Sequence, residues 1–437
     1  MKFLILTQYY PPEVGAGQVR LQSTVDQLLA LGHDVEVVTA LPNYPSGRIF
    51  DGYRGRFYGR EDDGRLTIHR VWLHVALGAG LGRLVSYLSF AATSAVGLVR
   101  SERPDVIFVE SPPLFLGLTG WLAARAWRRP WILNISDLWP DSIRALGVMD
   151  EGLALTMAEK LEHFIYLRAD LITAVTDGIA SELVNGKGVP QEQILFLPNG
   201  VDTELFRPRA ADDNVRERFG FDHRRVVLYA GTMGFAHCTD AILDAAEILR
   251  ERDVLFVLAG DGSDRERTEQ RARERGLTNV LFLGVVPLQT VADLYSVALA
   301  GLATLRDLPL FEGARPAKVL PCLASGKPIV YSGRGEGARL ITEADTGIVV
   351  EPEDGAAIAA AIERLLDEPG LAERLGGNGR RLAVERFGWR ALVGDWLEQL
   401  ARAAGSAPQR NDLTATALRA LPKRASRLSA VFRNKRS

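Results

Sequence analysis

Glu312 and Lys318 stand six positions apart in the stretch Phe311–Tyr331, FEGARPAKVLPCLASGKPIVY. Glu312 opens a turn with Gly313. Lys318 precedes a short apolar helical segment, a Gly326 stop and a strand at Pro328–Tyr331. An anionic ligand at the edge of a parallel sheet needs such parts: free N–H groups, the positive end of a helix dipole and a mobile full charge. An ordinary loop–helix–strand unit with a solvated lysine fits the same residues, so these alone leave the chemistry open.

A large frame has to position that stretch. The chain has 437 residues, beyond the size at which one core keeps growing, so two domains are expected. With 47% hydrophobic and 24% charged residues it is globular. A formal net charge of -2 excludes a molecule built as a whole to bind polyanions. Cys238 and Cys322 lie far apart without a CxxC pair, which fits a reducing compartment and leaves too few thiols for a thiolate zinc site. The opening segment, MKFLILTQYYPP, starts a strand directly and lacks the features of a signal peptide. Leu84–Val99, the longest charge-free run, is shorter than the ~20 residues of a spanning helix. A buried or membrane-surface helix is expected there, in a cytoplasmic protein.

Apolar strands alternate with helical patterns throughout. Strands are expected at Lys2–Tyr10, Asp34–Ala40, Thr67–His74, Asp105–Glu110, Trp131–Asp137, Leu171–Val175 and Ile194–Pro198. A second series covers Arg225–Ala230, Val254–Ala259, Asn279–Val285, Ala298–Leu305, Pro328–Tyr331 and Gly347–Val350. Such alternation means mainly parallel sheets covered on both faces. The connection Leu41–Arg65 breaks the rhythm, is rich in Pro, Gly, Arg and Tyr, and reads as functional or disordered. Polar Gly200–Asp213 marks a boundary. Domains are therefore expected over 1–205 and 206–404, followed by a basic, disordered tail over 405–437.

Particular strings then become decisive. TQYYPPEVGAG, LPNYPSGRIFDGYRGRFY, VESPPLFLG, SDLWPDSIRALGV, FLPNGVDTELF, LYAGTMG, LAGDG and LFEGARPAKVL fall in order along the chain. Together they resemble the retaining GT-B glycosyltransferases of family 4, in the branch typified by bacterial surface-polysaccharide and fucosamine transferases. The resemblance implies an α/β architecture of two Rossmann-like doubly wound domains facing a central cleft. The first would bind the acceptor and the second the nucleotide-sugar donor, with the C-terminal helix packing back on the N-terminal domain. It also implies retaining transfer of a hexosyl or aminosugar unit from a nucleotide-sugar, a UDP-sugar foremost, to a glycan or lipid-linked acceptor in cell-surface polysaccharide or glycoconjugate synthesis. The nucleotide-sugar is a co-substrate, and neither a further cofactor nor a metal is expected. The other expected partner is an anionic membrane, bound peripherally at its inner face; nucleic acid is not one.

In similar enzymes the turn after the first strand approaches the donor pyrophosphate; here that turn holds Gly15 and Gly17. Gly231, Thr232 and Gly234 open the second domain likewise, and Gly262 belongs to the turn Gly260-Asp261-Gly262 near the nucleotide base. Glycine removes bulk where backbone N–H groups meet phosphate. Glu312 matches the acid that contacts the donor sugar's hydroxyls. Lys318 matches the cation that neutralises the leaving diphosphate, whose developing charge such groups stabilise. Asp137 would face the acceptor as base or orienting group, or cap the next helix. Glu110 is a further candidate of that kind.

Departures from the pattern are specific. Leu320-Pro321-Cys322 stands where the family has a second glutamate, and proline interrupts a helix unless it lies in the first turn. Phe235 replaces a basic residue after the LYAGTMG turn, with Arg315 and Arg306 as candidate substitutes, and Leu299 replaces an aspartate. These losses keep a second reading open, a catalytically degenerate nucleotide-binding or partner subunit.

Overall fold

The computed structural model describes residues 1–13, 15–76, 80–141, 144 and 152–406. The first sheet holds β1 (Lys2–Leu6), β2 (Asp34–Ala40), β3 (Tyr58–Asp63), β4 (Leu66–Val71), β5 (Val106–Ser111), β6 (Trp131–Ile135), β7 (Leu171–Ala174) and β8 (Ile194–Phe196), in the order β3-β4-β2-β1-β5-β6-β7-β8. The second holds β9 (Arg225–Ala230), β10 (Val254–Ala259), β11 (Val280–Gly284), β12 (Ala298–Thr304), β13 (Ile329–Ser332) and β14 (Gly347–Val350), in the order β11-β10-β9-β12-β13-β14. Both are α/β sheets that wind outward from a central strand and then reverse. The reversal falls between β1 and β5 in one and between β9 and β12 in the other, and such switch points are where doubly wound folds take ligands. Central strands such as β5 and β10 are buried along their whole length, as a sheet covered on both faces requires.

The chain divides into two compact units, Met1–Pro198 with the segment from Leu392 on, and Asn199–Ala391. The closing helix Trp389–Ser406 begins in the second and ends in the first. Trp396 explains why. Its fully buried ring lies against Phe3 and Phe108, and its Nε1 donates to Thr173 Oγ1 at 3.1 Å. Gln399 adds a pair of hydrogen bonds with the Phe196 backbone, at 2.8 and 3.1 Å. The expected return of this helix to the N-terminal domain is present. The expected ranges 1–205 and 206–404 differ from these units at residues 199–205 and at the helix itself, because a helix belongs to the core it buries. Most of the expected tail lies outside the described residues.

Three local expectations change. The aperiodic stretch Leu41–Arg65 ends in a strand: β3 pairs antiparallel with β4 from Tyr58↔Val71 to Asp63↔Leu66, through a turn at Gly64 with φ +61°. Its sequence, YGREDD, is that of a charged sheet edge, which resists pairing with other chains. The apolar helix runs over Leu81–Arg100, 20 residues, because Arg83 and Arg100 are helix-compatible ends rather than stops. It is long and apolar enough to cross a membrane, yet it packs on the first sheet through Phe90, Ser94, Gly97 and Leu98. A Cβ on Gly97 would lie 2.6 Å from Val38 Cγ1. Finally, Pro321 occupies the first turn of the short helix Val319–Ala324, where its missing N–H has no intrahelical role.

Candidate active site

At the carboxyl edge of the second sheet, two glycine turns lock together. Gly231 N donates to Ala259 O at 2.8 Å, and Met233 N to Asp261 O at 2.9 Å. Gly260 (φ +148°) and Gly262 (φ +153°) hold conformations that side chains disfavour, and a Cβ on either would collide with the carbonyl oxygens of Gly231 and Met233. Turns this close expose backbone rather than side chains, which suits phosphate.

Lys318 reaches the same place. Its side chain is buried and donates from Nζ to Tyr229 Oη, with Nζ 3.9 Å from the centre of the Tyr229 ring. A Cβ on Gly231 would stand 2.9 Å from Lys318 Cε, so the glycine makes room for the lysine stem. Tyr229 in turn donates its hydroxyl proton to Thr232 O. His237 Nδ1 lies 3.1 Å from the Thr304 carbonyl and 3.5 Å from Lys318 Nζ. A carbonyl only accepts, so Nδ1 carries the proton and the ring faces the lysine as a neutral group. Burial, followed by the lysine charge, pushes His237 down to about 3. Burial likewise holds Lys318 well below the ordinary lysine range. A dicarboxylate or diphosphate arriving here would reverse that penalty by supplying the missing counter-charge.

Glu312 caps the short helix Pro309–Phe311 and leaves its carboxylate exposed, with no side-chain hydrogen bond among the described residues. Its backbone is fixed: Glu312 O accepts from Glu336 N at 2.7 Å, and Gly335 (φ +74°) is packed against it. Thr232 is exposed on the glycine turn. Lys318, Gly231, Thr232 and Gly262 thus converge, with Glu312 at the neighbouring end of β13's connection. Of the two arginines named as substitutes, Arg315 is buried against Glu336 (3.8 Å) and over the Phe387 ring (4.7 Å). Arg306 instead lies with its guanidinium 4.2 Å from the Phe235 ring centre.

The first unit's edge is built differently. Gly15 precedes the helix Ala16–Ala30 in extended backbone, and a Cβ on Gly17 would meet nothing within 4 Å. Glu13 does the holding instead. Its buried carboxylate accepts from Asn43 N and Tyr44 N, both at 2.8 Å, and from Tyr10 N at 3.2 Å. Burial outweighs those donors and pushes its carboxyl up to about 7. Tyr9 meets Tyr44 edge to face, and Arg83 lies over the rings of Tyr9 and Tyr87 at 5.7 and 4.9 Å. Asp137 is exposed just past β6, and its carbonyl accepts from Trp139 N. Glu110 is internal: it pairs with Arg20 and accepts from Asn134 and Ser136 at 2.8 Å each. Among the described residues no set of three His, Cys, Asp or Glu side chains is placed to hold a metal ion.

Comparison with known proteins places this geometry. Residues 15–200 match the glycosyl transferase 4-like domain and residues 224–368 the glycosyl transferases group 1 domain. The chain belongs to the GT-B glycosyltransferases of family 4. It is 29% identical, over 84% of its length and 92% of the relative's, to the putative colanic acid biosynthesis glycosyl transferase WcaI of Escherichia coli K12. It is 30% identical to the alpha-D-kanosaminyltransferase of Streptomyces kanamyceticus over 57% of this chain and 64% of that one. The fold matches sucrose-phosphate synthase from Thermosynechococcus elongatus with a TM-score of 0.72, at 20% identity, over 93% of this chain and all of that one. It also matches Anabaena Alr3699/HepE, solved with UDP-glucose, with a TM-score of 0.68, at 17% identity, over 92% and 100%.

In this glycosyltransferase the sequence identified Lys318 but gave no sign of its partners. Tyr229 lies inside an ordinary apolar strand, and only contact reveals that its hydroxyl and ring enclose the amine. Glu13 was also missed. Its one legible signal is an acid set between Pro11-Pro12 and the Gly15 turn, a position where a loop needs an acceptor for free N–H groups.

Proposed function

We propose that this glycosyltransferase moves a sugar from a UDP-sugar to a hydroxyl of a lipid-linked or glycan acceptor, with retention at the anomeric carbon, during cell-surface glycan synthesis. The single observation that carries the reading is the enclosed Lys318, wedged by Gly231 and Tyr229 at the switch point of the second sheet. In the proposed reaction the donor's bond from C1 to the β-phosphate oxygen breaks while a bond from C1 to the acceptor oxygen forms on the same face. The acceptor's proton passes to the departing phosphate oxygen, and Lys318 with the turn N–H groups stabilises the diphosphate. Glu312 accepts from the donor sugar's hydroxyls, and Asp137 orients the acceptor hydroxyl.

Support for the acceptor class comes from the first unit. Tyr9, Tyr44 and Tyr87 offer ring faces for a sugar beside the Arg83 charge. Leu81, Leu84, Val85 and Leu88 extend from there as an exposed stripe at helical spacing, suited to a membrane surface. The protein would therefore work on the cytoplasmic side, held peripherally.

The test is release of UDP from a panel of UDP-sugars with lipid-linked acceptors, with the product anomer read by NMR. Lys318→Ala and Glu312→Ala should each lower turnover by about 10²–10³-fold. Tight UDP binding without turnover on any donor, in the wild type as in both variants, would overturn the enzyme reading.

A further inference from the structure

A nucleoside diphosphate brings at least two negative charges to the glycine turns after β9 and β10, where Lys318 stands among neutral groups. We infer that Arg306 is the second cation of this site, presented on the ring of Phe235 to bind the donor's diphosphate. The inference rests on the donor being a nucleotide-sugar, and it chooses between the two arginines that the sequence left open, since Arg315 is paired with Glu336.

Arg306 follows the end of β12, the strand paired with β9 across the switch point. Its backbone N donates to Ala236 O at 3.0 Å, which ties it to the turn that carries Phe235. Phe235 is 46% exposed, an apolar ring left in water at the edge of a site. The guanidinium, 4.2 Å from the centre of that ring, accounts for it. A ring face fixes the plane of an arginine without consuming its N–H donors, and a fixed planar fork is the geometry that phosphate oxygens match.

The charge is also available. Arg306 Nε is buried without a hydrogen-bond partner, and among the described residues no carboxylate pairs with the side chain. The adjacent acid, Asp307, is turned to Arg334 at 3.4 Å. Arg334 is further paired with Glu351 at 2.7 Å, and Arg315 with Glu336. Arg265, beside the Gly260-Asp261-Gly262 turn, also has a buried unpartnered Nε but lies 3.8 Å from Asp261, whereas Arg306 has no carboxylate partner among the described residues. It would add a second positive charge beside Lys318, which itself stands among neutral groups.

Equilibrium binding of UDP, UMP and uridine, with GDP and dTDP as alternative nucleotides, to the full chain tests this, using the wild type, Arg306→Ala, Arg306→Lys and the double variant Arg306→Ala/Phe235→Arg. Arg306→Ala should weaken UDP by about 10- to 100-fold, the loss of one or two charge-assisted hydrogen bonds, and leave uridine unchanged. Arg306→Lys should keep part of the affinity. The double variant should regain most of it, because the new guanidinium starts from the turn on which the old one rested. Unchanged UDP affinity in Arg306→Ala, or equal losses for UDP and uridine, would overturn the assignment while leaving the donor reading intact. A wild type that binds neither UDP, GDP nor dTDP would overturn both.

Discussion

The carboxyl edges of the two sheets start from the same design and are held by opposite means. Each follows its central strand with a glycine-bearing turn, after β1 and after β9. In the second unit the turn is locked by backbone packed on backbone: Gly231, Gly260 and Gly262 sit in positive-φ conformations with no room for a Cβ. In the first, Gly15 is extended and Gly17 uncrowded, and a buried carboxylate does the work of close packing. Charge follows the same division. The first unit buries acids with cationic or N–H partners, Glu110 with Arg20 and Glu13 with three amides; the second buries a lysine among neutral groups. An edge held by glycine geometry needs no titrating group to keep its shape and leaves its cation for a ligand. An edge held by acids is titratable, and its charges are already engaged.

The largest effect should come from breaking an engaged pair. Arg20→Ala leaves Glu110 buried beside only Asn134 and Ser136, and stranding a buried charge costs about 3–5 kcal/mol. Chemical denaturation should read that loss. Lys318→Met keeps a flexible apolar stem of similar length and strands no opposite charge, so it should shift stability by about 1.5 kcal/mol or less while abolishing transfer. Equal destabilisation by the two substitutions would erase the distinction between the edges.

Next in size is a pH effect confined to the first unit. Glu13 has its carboxyl raised to about 7 by burial, above the ordinary glutamate value of ~4.3. The native state then holds a proton that the unfolded chain releases, so this group's contribution is fully present below pH ~4.3 and is lost as pH rises toward 7. The slope approaches ~1.4 kcal/mol per pH unit within that window. Glu13→Gln should flatten the stability profile there, and an unchanged profile would show that the three amide donors already fix the carboxylate.

How much of this was legible follows from the same physics. Strands buried on both faces announce themselves, so β2, β9 and β10 coincide with their apolar runs. β3 did not, because a charged edge strand carries no apolar alternation. Lys318 was found by its setting between a turn and an apolar helix. Its burial was not, since the enclosing Tyr229 and Gly231 lie 89 and 87 positions away. Glu110 looked like a site acid because it ends a strand, yet a fully buried strand position turns it toward Arg20. Pro321 looked disruptive only until the helix start was known; in a first turn it costs no hydrogen bond.

The smallest expected effect tests the surfaces of the two units rather than their sites. Leu81, Leu84, Val85 and Leu88 are between 37% and 80% exposed and form one continuous stripe, i, i+3, i+4 and i+7, on the helix that carries Arg83. Exposed apolar residues of the second unit, such as Ile248 and Val384, lie far apart in sequence on different helices. A stripe can enter an interface as a unit, whereas isolated residues each remain surrounded by polar surface. Leu84→Ser with Leu88→Ser should therefore lower partitioning to anionic lipid vesicles by about tenfold, the loss of partial burial of two leucines. Ile248→Ser should leave partitioning unchanged, and UDP binding should survive in both. Equal vesicle binding by all three proteins would mean that the helix face is ordinary solvated surface, and that the two units differ only at their sheet edges.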